Sequence, residues 1–357
     1  MIATFFRGAL VVALLAAIMA ALLSNYRNNV QTNDQSNDQA QDQQTESVLT
    51  IYTYDAFAAE WGPAPGIEAA FEETCNCDVQ FIAADSSIGA LRKIQLEGPE
   101  TTADILLGLD TNIAEAARET GLFIEHGADT GALTLPTGDW SDNTFLPFDY
   151  SYFAFVYNKE KLNDAPDSFE ALINTPEDFK IVIQDPRSST PGLGLLLWIQ
   201  EAYGDRAAEI WQGLAPKIVT VTKGWSDAYG LFLKDEADMV LSYTTSPAYH
   251  LIAEEDSRFD SAQFKEGHYL QIEVASILES SKNKPLAKEF MQFMLSDTVQ
   301  DIIPTTNWVY PATTTSAGLP DGFDTLHLPD NTLLINGVEV EKNRQQWIDQ
   351  WVEILGQ

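Results

Sequence analysis

The sequence predicts an α/β protein of two lobes, in which the chain crosses twice between the lobes. The first observation is an alternation of short β-branched strand patterns with amphipathic helical patterns, which indicates mostly parallel sheets with helices on both faces. The second is a pair of long apolar strand patterns at 145–157 and 268–276, which we interpret as the two crossover segments. Such a chain buries its ligand in the cleft at the strand ends, and the crossovers act as hinges for closure.

The individual elements follow from the period of the apolar residues. Strands are predicted at 48–54, 78–83, 103–109, 180–184, 218–222 and 239–243. Helices are predicted within 63–75 and at 89–97, 111–120, 193–203, 285–295 and 341–355. We expect the first lobe to comprise 48–146 and about 268–312, and the second to comprise 147–267 with part of 313–357.

The N-terminus indicates export. Residues 1–23 contain Arg7 and then an apolar run of 15 residues, which is typical of a secretory signal and short of the length of about 20 that a spanning helix needs. A cleaved signal and an uncleaved anchor both fit this pattern. Residues 24–47 are almost wholly polar, so we expect a disordered linker there. The rest of the chain is then periplasmic or otherwise extracytoplasmic.

The charge balance excludes one class of partner. The chain has 53 acidic and 20 basic residues, a formal net charge of -33, which argues against nucleic acid because phosphate contacts require Lys and Arg. A salt-adapted acidic surface explains the charge, and a field that steers a cationic ligand is the alternative. The only cysteines, Cys75 and Cys77, fit a tight disulfide, with free thiols and a metal site as less favoured readings.

A polar turn that opens an apolar helix predicts an anion site. Ser188, Ser189 and Thr190 precede Pro191 and the helix predicted at 193–203. Free amides and the dipole at a helix start attract an anion such as phosphate. Plain capping is the alternative use of these hydroxyls. Arg187 beside them favours the anion.

Aromatic residues at predicted strand and helix ends form a second set of candidates. Trp225 stands between Gly224 and Ser226 at a helix start, where a cationic aromatic ring on its face would gain about 0.5–2 kcal/mol. The other candidates are Tyr54, Trp61, Tyr243, Tyr249 and Trp308. Each of these rings could instead pack locally.

No catalytic signature accompanies these residues. The sequence lacks the nucleophile-elbow, Walker, dinucleotide-binding and HExxH patterns, and its four histidines, at 126, 250, 268 and 327, are scattered. We therefore interpret the chain as a binding protein without a cofactor or a resident metal, and not as an enzyme.

The same residues resemble those of the periplasmic thiamine-binding proteins of bacterial ABC importers. The resemblance extends from 48 to about 355. It is carried by 52–55, 61–63, 75–77, 107–110, 147–150, 184–198, 220–226, 241–250, 267–270 and 307–308. It implies a type II periplasmic-binding-protein fold and a monomer that takes thiamine, thiamine monophosphate or thiamine diphosphate into the interlobe cleft. It also implies delivery of that ligand to an ABC permease.

The resemblance implies a role for each site residue. Trp225 and Tyr249 would pack on the ligand rings, three further aromatic residues would complete the pocket, and Ser189 with neighbouring amides would hold phosphate. The predicted ligand-binding residues are Tyr54, Trp61, Ser86, Ser87, Ser188, Ser189, Thr190, Trp225, Tyr243, Tyr249 and Trp308. After the second strand the family often has an acidic residue followed by Gly, and here the matching stretch, 85–88, reads Asp-Ser-Ser-Ile.

Two rival functions fit parts of the same pattern. A ferric-iron-binding protein of the same superfamily would use paired tyrosines, such as Tyr243 and Tyr249, as ligands. A thiamine-processing enzyme on this scaffold would need a nucleophile in the cleft, and Cys75 and Cys77 are the only thiols.

Overall fold

The structure is a computed structural model that describes residues 47–356. The signal or anchor predicted at 1–23 and the linker predicted at 24–47 lie outside the described residues, apart from Ser47, which begins the first strand. Within residues 47–356, no helix is both long and apolar enough to cross a membrane.

The strands form one continuous curled path. They are β1 Ser47–Tyr54, β2 Cys77–Ala84, β3 Ile105–Asp110, β4 Phe123–Ile124, β5 Leu146–Asn158, β6 Ile181–Gln184, β7 Ile218–Thr222, β8 Met239–Tyr243, β9 Phe259–Ser261, β10 His268–Leu278, β11 Tyr310–Pro311 and β12 Thr332–Leu333. The order along the path is β2-β1-β3-β10-β5-β8-β6-β7.

The two long strands β5 and β10 occupy the middle of this path. They pair antiparallel with each other, and each also pairs with a strand of one predicted lobe, β5 with β8 and β10 with β3. On the outer sides, β1 pairs in parallel with β2 and β3, and β6 pairs in parallel with β7 and β8. The predicted α/β fold with two crossover strands is confirmed.

Helices cover the strands. They are α1 Asp55–Ala58, α2 Ala64–Glu72, α3 Ser87–Glu97, α4 Thr111–Glu119, α5 Phe169–Ile173, α6 Thr190–Tyr203, α7 Ala207–Leu214, α8 Trp225–Leu233, α9 Pro247–Ala253, α10 Lys284–Phe293, α11 Asp297–Thr306 and α12 Gly337–Leu355. Short 3-10 turns lie at Gly98–Glu100, Gly204–Arg206, Ala215–Lys217 and Phe323–Thr325. All predicted helices form with small shifts at their ends, whereas α1, α5, α7, α9 and α11 were not predicted, and only the start of α8, at Trp225, was.

Apolar side chains hold helices against both faces of the sheet, because successive residues of a strand point to opposite faces. In β3, Leu106 belongs to a cluster that packs α3, α4, α6, α7 and α12, while Leu107 belongs to another that packs α2, α10 and α11. In β6, Ile183 joins the first cluster, and Val182 joins a third cluster under α8. The first cluster therefore runs through both predicted lobes.

The last helix, α12, joins the two halves from outside the sheet. It packs against α4 of the first predicted lobe and against α7 of the second. Trp351 of α12 meets Trp211 of α7 edge to face, with ring centroids 6.3 Å apart. The two cysteines form a disulfide. It joins Cys75, which follows α2, to Cys77, the first residue of β2, and their Cα atoms are 5.3 Å apart.

Candidate functional site

A cavity of about 420 Å³ lies at the carboxyl ends of the parallel strands. Residues that follow β1, β2, β6, β7 and β8 line it, together with side chains of the crossover strands β5 and β10. This is the place where α/β sheets bind ligands, because side chains and helix starts converge there. The cavity brings together ten of the eleven predicted site residues, all except Ser188.

Three helix N-termini converge on the cavity. The starts of α3, α6 and α8 line it, and the cap positions are Ser86, Ser189 and Gly224. Ser86 is used as a cap, since its Oγ accepts from Gly89 N at 3.0 Å. Ser189 makes no such bond and is 1% exposed. The first N–H groups of a helix have no intrahelical acceptor, so the start of α6 offers donors to an anion.

Two parts of the predicted anion site lie elsewhere. Ser188 Oγ donates to Lys223 O at 2.9 Å and does not line the cavity. Arg187 does not line it either. Its Nε donates to Asp185 Oδ1 at 2.9 Å, and hydrogen bonds from Arg187 hold the pKa of Asp185 below its ordinary value despite partial burial. Its guanidinium lies 5.7 Å from the ring of Trp351.

Contacts with neighbouring side chains fix the orientation of the aromatic walls. Trp225 Nε1 donates to Ser242 Oγ at 2.8 Å, and its indole stacks on Tyr229 with centroids 4.9 Å apart. Tyr249 and Trp308 meet edge to face at 5.4 Å. Trp308 has a φ of 58°, which is strained for a residue with a Cβ.

Gly108 leaves the space that the side chain of Tyr54 occupies. A Cβ on Gly108 would lie 2.5 Å from Tyr54 Cε1, so only glycine leaves room for the phenol at this point of β3. The φ of Gly108 is 96°, which also favours glycine. At the cavity mouth, Trp61 is 57% exposed, so it has the least packing of the candidate rings.

A buried acidic pair forms another part of the lining. Asp149 of β5 and Glu273 of β10 are directly opposite in the antiparallel ladder. Tyr54 Oη donates to Glu273 Oε2 at 2.9 Å, and Asn307 Nδ2 donates to Asp149 Oδ2 at 2.7 Å. Burial raises the pKa of both carboxyls, and the charge of Asp149 raises the pKa of Glu273 further.

The phenols beside this pair remain protonated. Burial, and then the negative charge of Glu273, raise the pKa values of Tyr54 and Tyr243 well above the ordinary range. The hydroxyl of Tyr249 is already engaged, since it donates to Glu254 Oε1 at 2.9 Å. The same Glu254 contacts His250 Nδ1 at 2.7 Å, so His250 lies behind the wall and not in it.

Polar contacts bridge the cavity mouth between the two predicted lobes. Lys223, which precedes α8, forms an ion pair with Asp85, which follows β2. Ser226 Oγ donates to Asp55 Oδ2 at 3.2 Å. Burial raises the pKa of Asp55 above its ordinary value. These contacts join residues of the two predicted lobes beside the cavity.

Comparison with known proteins places this geometry in a family. A sequence profile described as "Bacterial extracellular solute-binding protein" matches residues 25–301, which is more than half of the chain. The chain belongs to the bacterial extracellular solute-binding protein family. Its structural neighbours share the type II periplasmic-binding-protein fold.

The relatives of this solute-binding protein include proteins named for their ligand. It is 51% identical to the "Thiamine-binding periplasmic protein" of Escherichia coli (strain K12), over 85% of this chain and 92% of the relative. It is 49% identical to the protein of that name from Brucella melitensis biotype 1, over 87% of this chain and 92% of the relative. A solved "Periplasmic thiamin binding protein" superposes with a TM-score of 0.84 at 50% identity, covering 87% of this chain and 96% of that one. By contrast, "Iron uptake protein A1" of Synechocystis sp. is 24% identical over 64% of the chain.

Several cavity residues of this solute-binding protein were not predicted. They are Asp149, Glu273, Gln271, Asn307, Tyr229, Asp55 and Asp85. A signal for the first two was present, because Asp149 and Glu273 are the only charged residues in the two predicted crossover patterns, 145–157 and 268–276, which are otherwise apolar or aromatic with a few neutral polar residues. A lone carboxyl in such a strand is rarely buried without a partner or a function.

Proposed function

We propose that this solute-binding protein captures thiamine and its mono- and diphosphate outside the cytoplasm and delivers them to an ABC permease. The two relatives at about 50% identity are named for thiamine, and the likeness covers more than nine-tenths of their length. The single observation that carries the proposal is the cavity itself. Its aromatic walls stand beside buried carboxyls, and no Lys, Arg or His lines it within the described residues.

This lining suits the chemistry of thiamine. The vitamin has two aromatic rings, of which the thiazolium carries a fixed positive charge. Indole and phenol faces attract such a ring, and Tyr249 and Trp308, which pack on each other edge to face, both line the cavity. A cavity volume of about 420 Å³ lies in the range of small-molecule sites.

The phosphate of the esters would lie at the start of α6. Ser189 and Thr190 line the cavity there, and the Ser189 side chain makes no capping hydrogen bond that phosphate binding would have to break. With no basic side chain in the lining, phosphate recognition would rest on amides, hydroxyls and the helix dipole. We also propose Ser86 and Ser87 at the start of α3 as hydroxyl contacts.

The proposed mechanism is closure without bond chemistry. The lobes, for which we keep the boundaries 48–146 with 268–312 and 147–267 with part of 313–357, would close over the ligand by bending at β5 and β10. The mouth contacts between Lys223 and Asp85 and between Ser226 and Asp55 would then hold the closed form. The protein would act as a periplasmic monomer.

The rival functions have less support. Iron ligation by Tyr243 would require a phenolate, and burial opposes that ionisation. Tyr249 donates its hydroxyl to Glu254 instead of presenting it to the cavity. An enzyme would need a nucleophile, but Cys75 and Cys77 are joined to each other and do not line the cavity.

Calorimetric titration of the ligand-stripped protein tests the proposal. We expect saturable one-site binding of thiamine, thiamine monophosphate and thiamine diphosphate, with no binding of ferric citrate. Prolonged incubation with thiamine should leave the vitamin unchanged. A protein that binds ferric citrate and none of the three thiamine compounds would overturn the proposal, and turnover of thiamine would support the enzyme.

A further inference from the structure

Two carboxyl groups lie side by side where the crossover strands reach the cavity. Asp149 of β5 and Glu273 of β10 are cross-strand partners, and both line the cavity. They are 1% and 8% exposed, respectively. Stacking of ligand rings on Trp225 or Tyr249 accounts for neither of them. A pair of buried acids is costly unless something positive meets it.

The polar neighbours leave one oxygen of this pair without a donor. Glu273 accepts from Tyr54, Gln271 and Asn307 at 2.9, 3.3 and 3.4 Å, and Asn307 also donates to Oδ2 of Asp149. Oδ1 of Asp149 is buried and has no hydrogen-bond partner within residues 47–356. The carboxyls are near enough to share a hydrogen bond when one of them is protonated.

Among residues 47–356, the groups that surround the pair supply no compensating positive charge. The titratable side chains that face it are Tyr54 on β1, Tyr243 at the end of β8 and Asp110 at the end of β3. The two phenols are neutral and Asp110 is acidic. Burial raises the pKa of Asp149 to about 7, and burial together with the charge of Asp149 raises the pKa of Glu273, so the two carboxyls favour holding one proton between them.

We propose that Asp149 and Glu273 are the specificity-determining pair of the cavity, which accepts the fixed positive charge of an aromatic ligand and gives up the shared proton in exchange. The inference rests on the proposed capture of thiamine, and it names what selects the cation. The proton passes to solvent as the thiazolium enters, so the net charge of the buried site is unchanged. A neutral ring of the same shape leaves the pair protonated and gains no such attraction.

The first test compares thiamine with 3-deazathiamine, an isostere in which a neutral thiophene replaces the thiazolium. At about pH 8, we expect the ligand-stripped full chain to bind thiamine on the order of tenfold more tightly or better. The double variant Asp149→Asn/Glu273→Gln should lose that preference, because amides cannot become negative. Its thiamine affinity should fall on the order of tenfold, with a much smaller change for the isostere.

The matched control is Asp110→Asn. Asp110 is buried and acidic, but it does not line the cavity. Its Oδ1 caps α4 by accepting from Asn112 N at 3.0 Å, and Asn retains that acceptor. We expect this variant to keep the preference for thiamine. Binding of the isostere shows that a variant is folded, and where the double variant binds neither compound the single variants replace it.

The second readout is the proton itself. Calorimetry in two buffers of different ionisation enthalpy should show release of up to about one proton when the wild type binds thiamine and none when it binds the isostere. Because protons compete with the cation, thiamine affinity should fall as the pH is lowered from about 8 to about 5. Both effects should vanish in the double variant.

The outcomes separate the two proposals. If thiamine binds the wild type but the double variant keeps the cation preference and the proton release, the role of the acidic pair is wrong and the proposed function stands. If neither thiamine nor its isostere binds the wild type, the proposed function is wrong and the inference falls with it.

Discussion

Trp225 is the single ring on which the proposed ligand contact depends most directly. The indole contacts Ser242 at one edge and Tyr229 at one face, and these two contacts fix the orientation of its other face. We expect Trp225→Ala to weaken thiamine binding roughly tenfold or more, about 1.4 kcal/mol, because stacking and the cation–π attraction are lost. Titration calorimetry measures this.

Trp225→Phe is the matched control for that substitution. Phenylalanine keeps an aromatic face but loses the hydrogen bond to Ser242, so its affinity should lie between those of the wild type and the alanine variant. Wild-type affinity in the alanine variant would remove Trp225 from the site.

Glu273 makes the stability of the ligand-free protein depend on pH. Its folded pKa lies above the unfolded value, so the folded chain holds more protons and stability is lost as the pH rises through the shifted range. We expect Glu273→Gln to raise the unfolding midpoint by about 2–4 °C at about pH 8 and to leave it nearly unchanged at about pH 5. Thermal scans at both pH values check this.

Glu289→Gln provides the comparison, since Glu289 is an exposed residue of α10 and should show no such difference. A midpoint of Glu273→Gln that falls at the alkaline pH would show that the buried carboxylate is stabilising and that the sign is wrong.

At the scale of elements, α6 packs on β5 at a glycine. A Cβ on Gly194 would lie 1.9 Å from Cε2 of Phe153, which is fully buried. We expect Gly194→Ala to destabilise the protein by about 1–3 kcal/mol, because the strand and the helix must move apart. Denaturant unfolding measures the loss.

Gly66→Ala in α2 is the matched substitution for this test. A Cβ there would lie 3.4 Å from Ile302 Cδ1, which is ordinary contact, so this variant should be neutral or slightly more stable. Equal effects of the two substitutions would show that the spacing of α6 and β5 is not fixed by Gly194.

The regular elements were predictable because their apolar period is local. The run 105–109 is buried in the middle of the sheet, and a continuous apolar run predicts such a strand. The helix α11 was missed because Pro304 lies inside it and indicates a break. Here the proline stands near the end of the helix, where few hydrogen bonds are lost.

The site was predictable in part for a related reason. Hydroxyls and rings at strand ends stand out in the sequence, and the fold brings ten of the eleven together. Asp149 and Glu273 meet only through the register of β5 with β10, which no local pattern shows. Arg187 was predicted to favour an anion, but its short-range pairing with Asp185 takes it away from the cavity.

At the scale of the whole molecule, we expect the mouth contacts to slow dissociation of the ligand. Lys223 and Asp85 pair across the mouth, and both side chains are exposed, so the pair contributes little and is weakened by salt. We expect Lys223→Gln to speed thiamine release roughly two- to fivefold at low salt, with a smaller effect at high salt. Stopped-flow displacement measures the rate.

Lys161→Gln removes a comparable exposed pair, with Asp235, that is not at the cavity. Its release rate should match the wild type. A release rate of Lys223→Gln that is unchanged at every salt concentration would show that the closed form does not depend on this contact.

The joining of the two halves limits how they can move. The paired strands β5 and β10 connect them through the sheet, and α12 contacts a helix of each half. The proposed bend at the crossovers would move α12 relative to at least one of the two helices that it contacts. We expect this motion to be of small amplitude, because α12 packs on α7 through Trp351 and Trp211.

The positions of the tryptophan residues make them intrinsic fluorescent probes of both binding and folding. Of the 8 indoles, Trp61, Trp225 and Trp308 border the cavity, while Trp198, Trp211 and Trp351 are buried away from it. We expect emission from the first group to change with occupancy and emission from the second to change mainly on unfolding. Intrinsic tryptophan fluorescence of one sample should therefore distinguish loss of the ligand from unfolding, without an added dye.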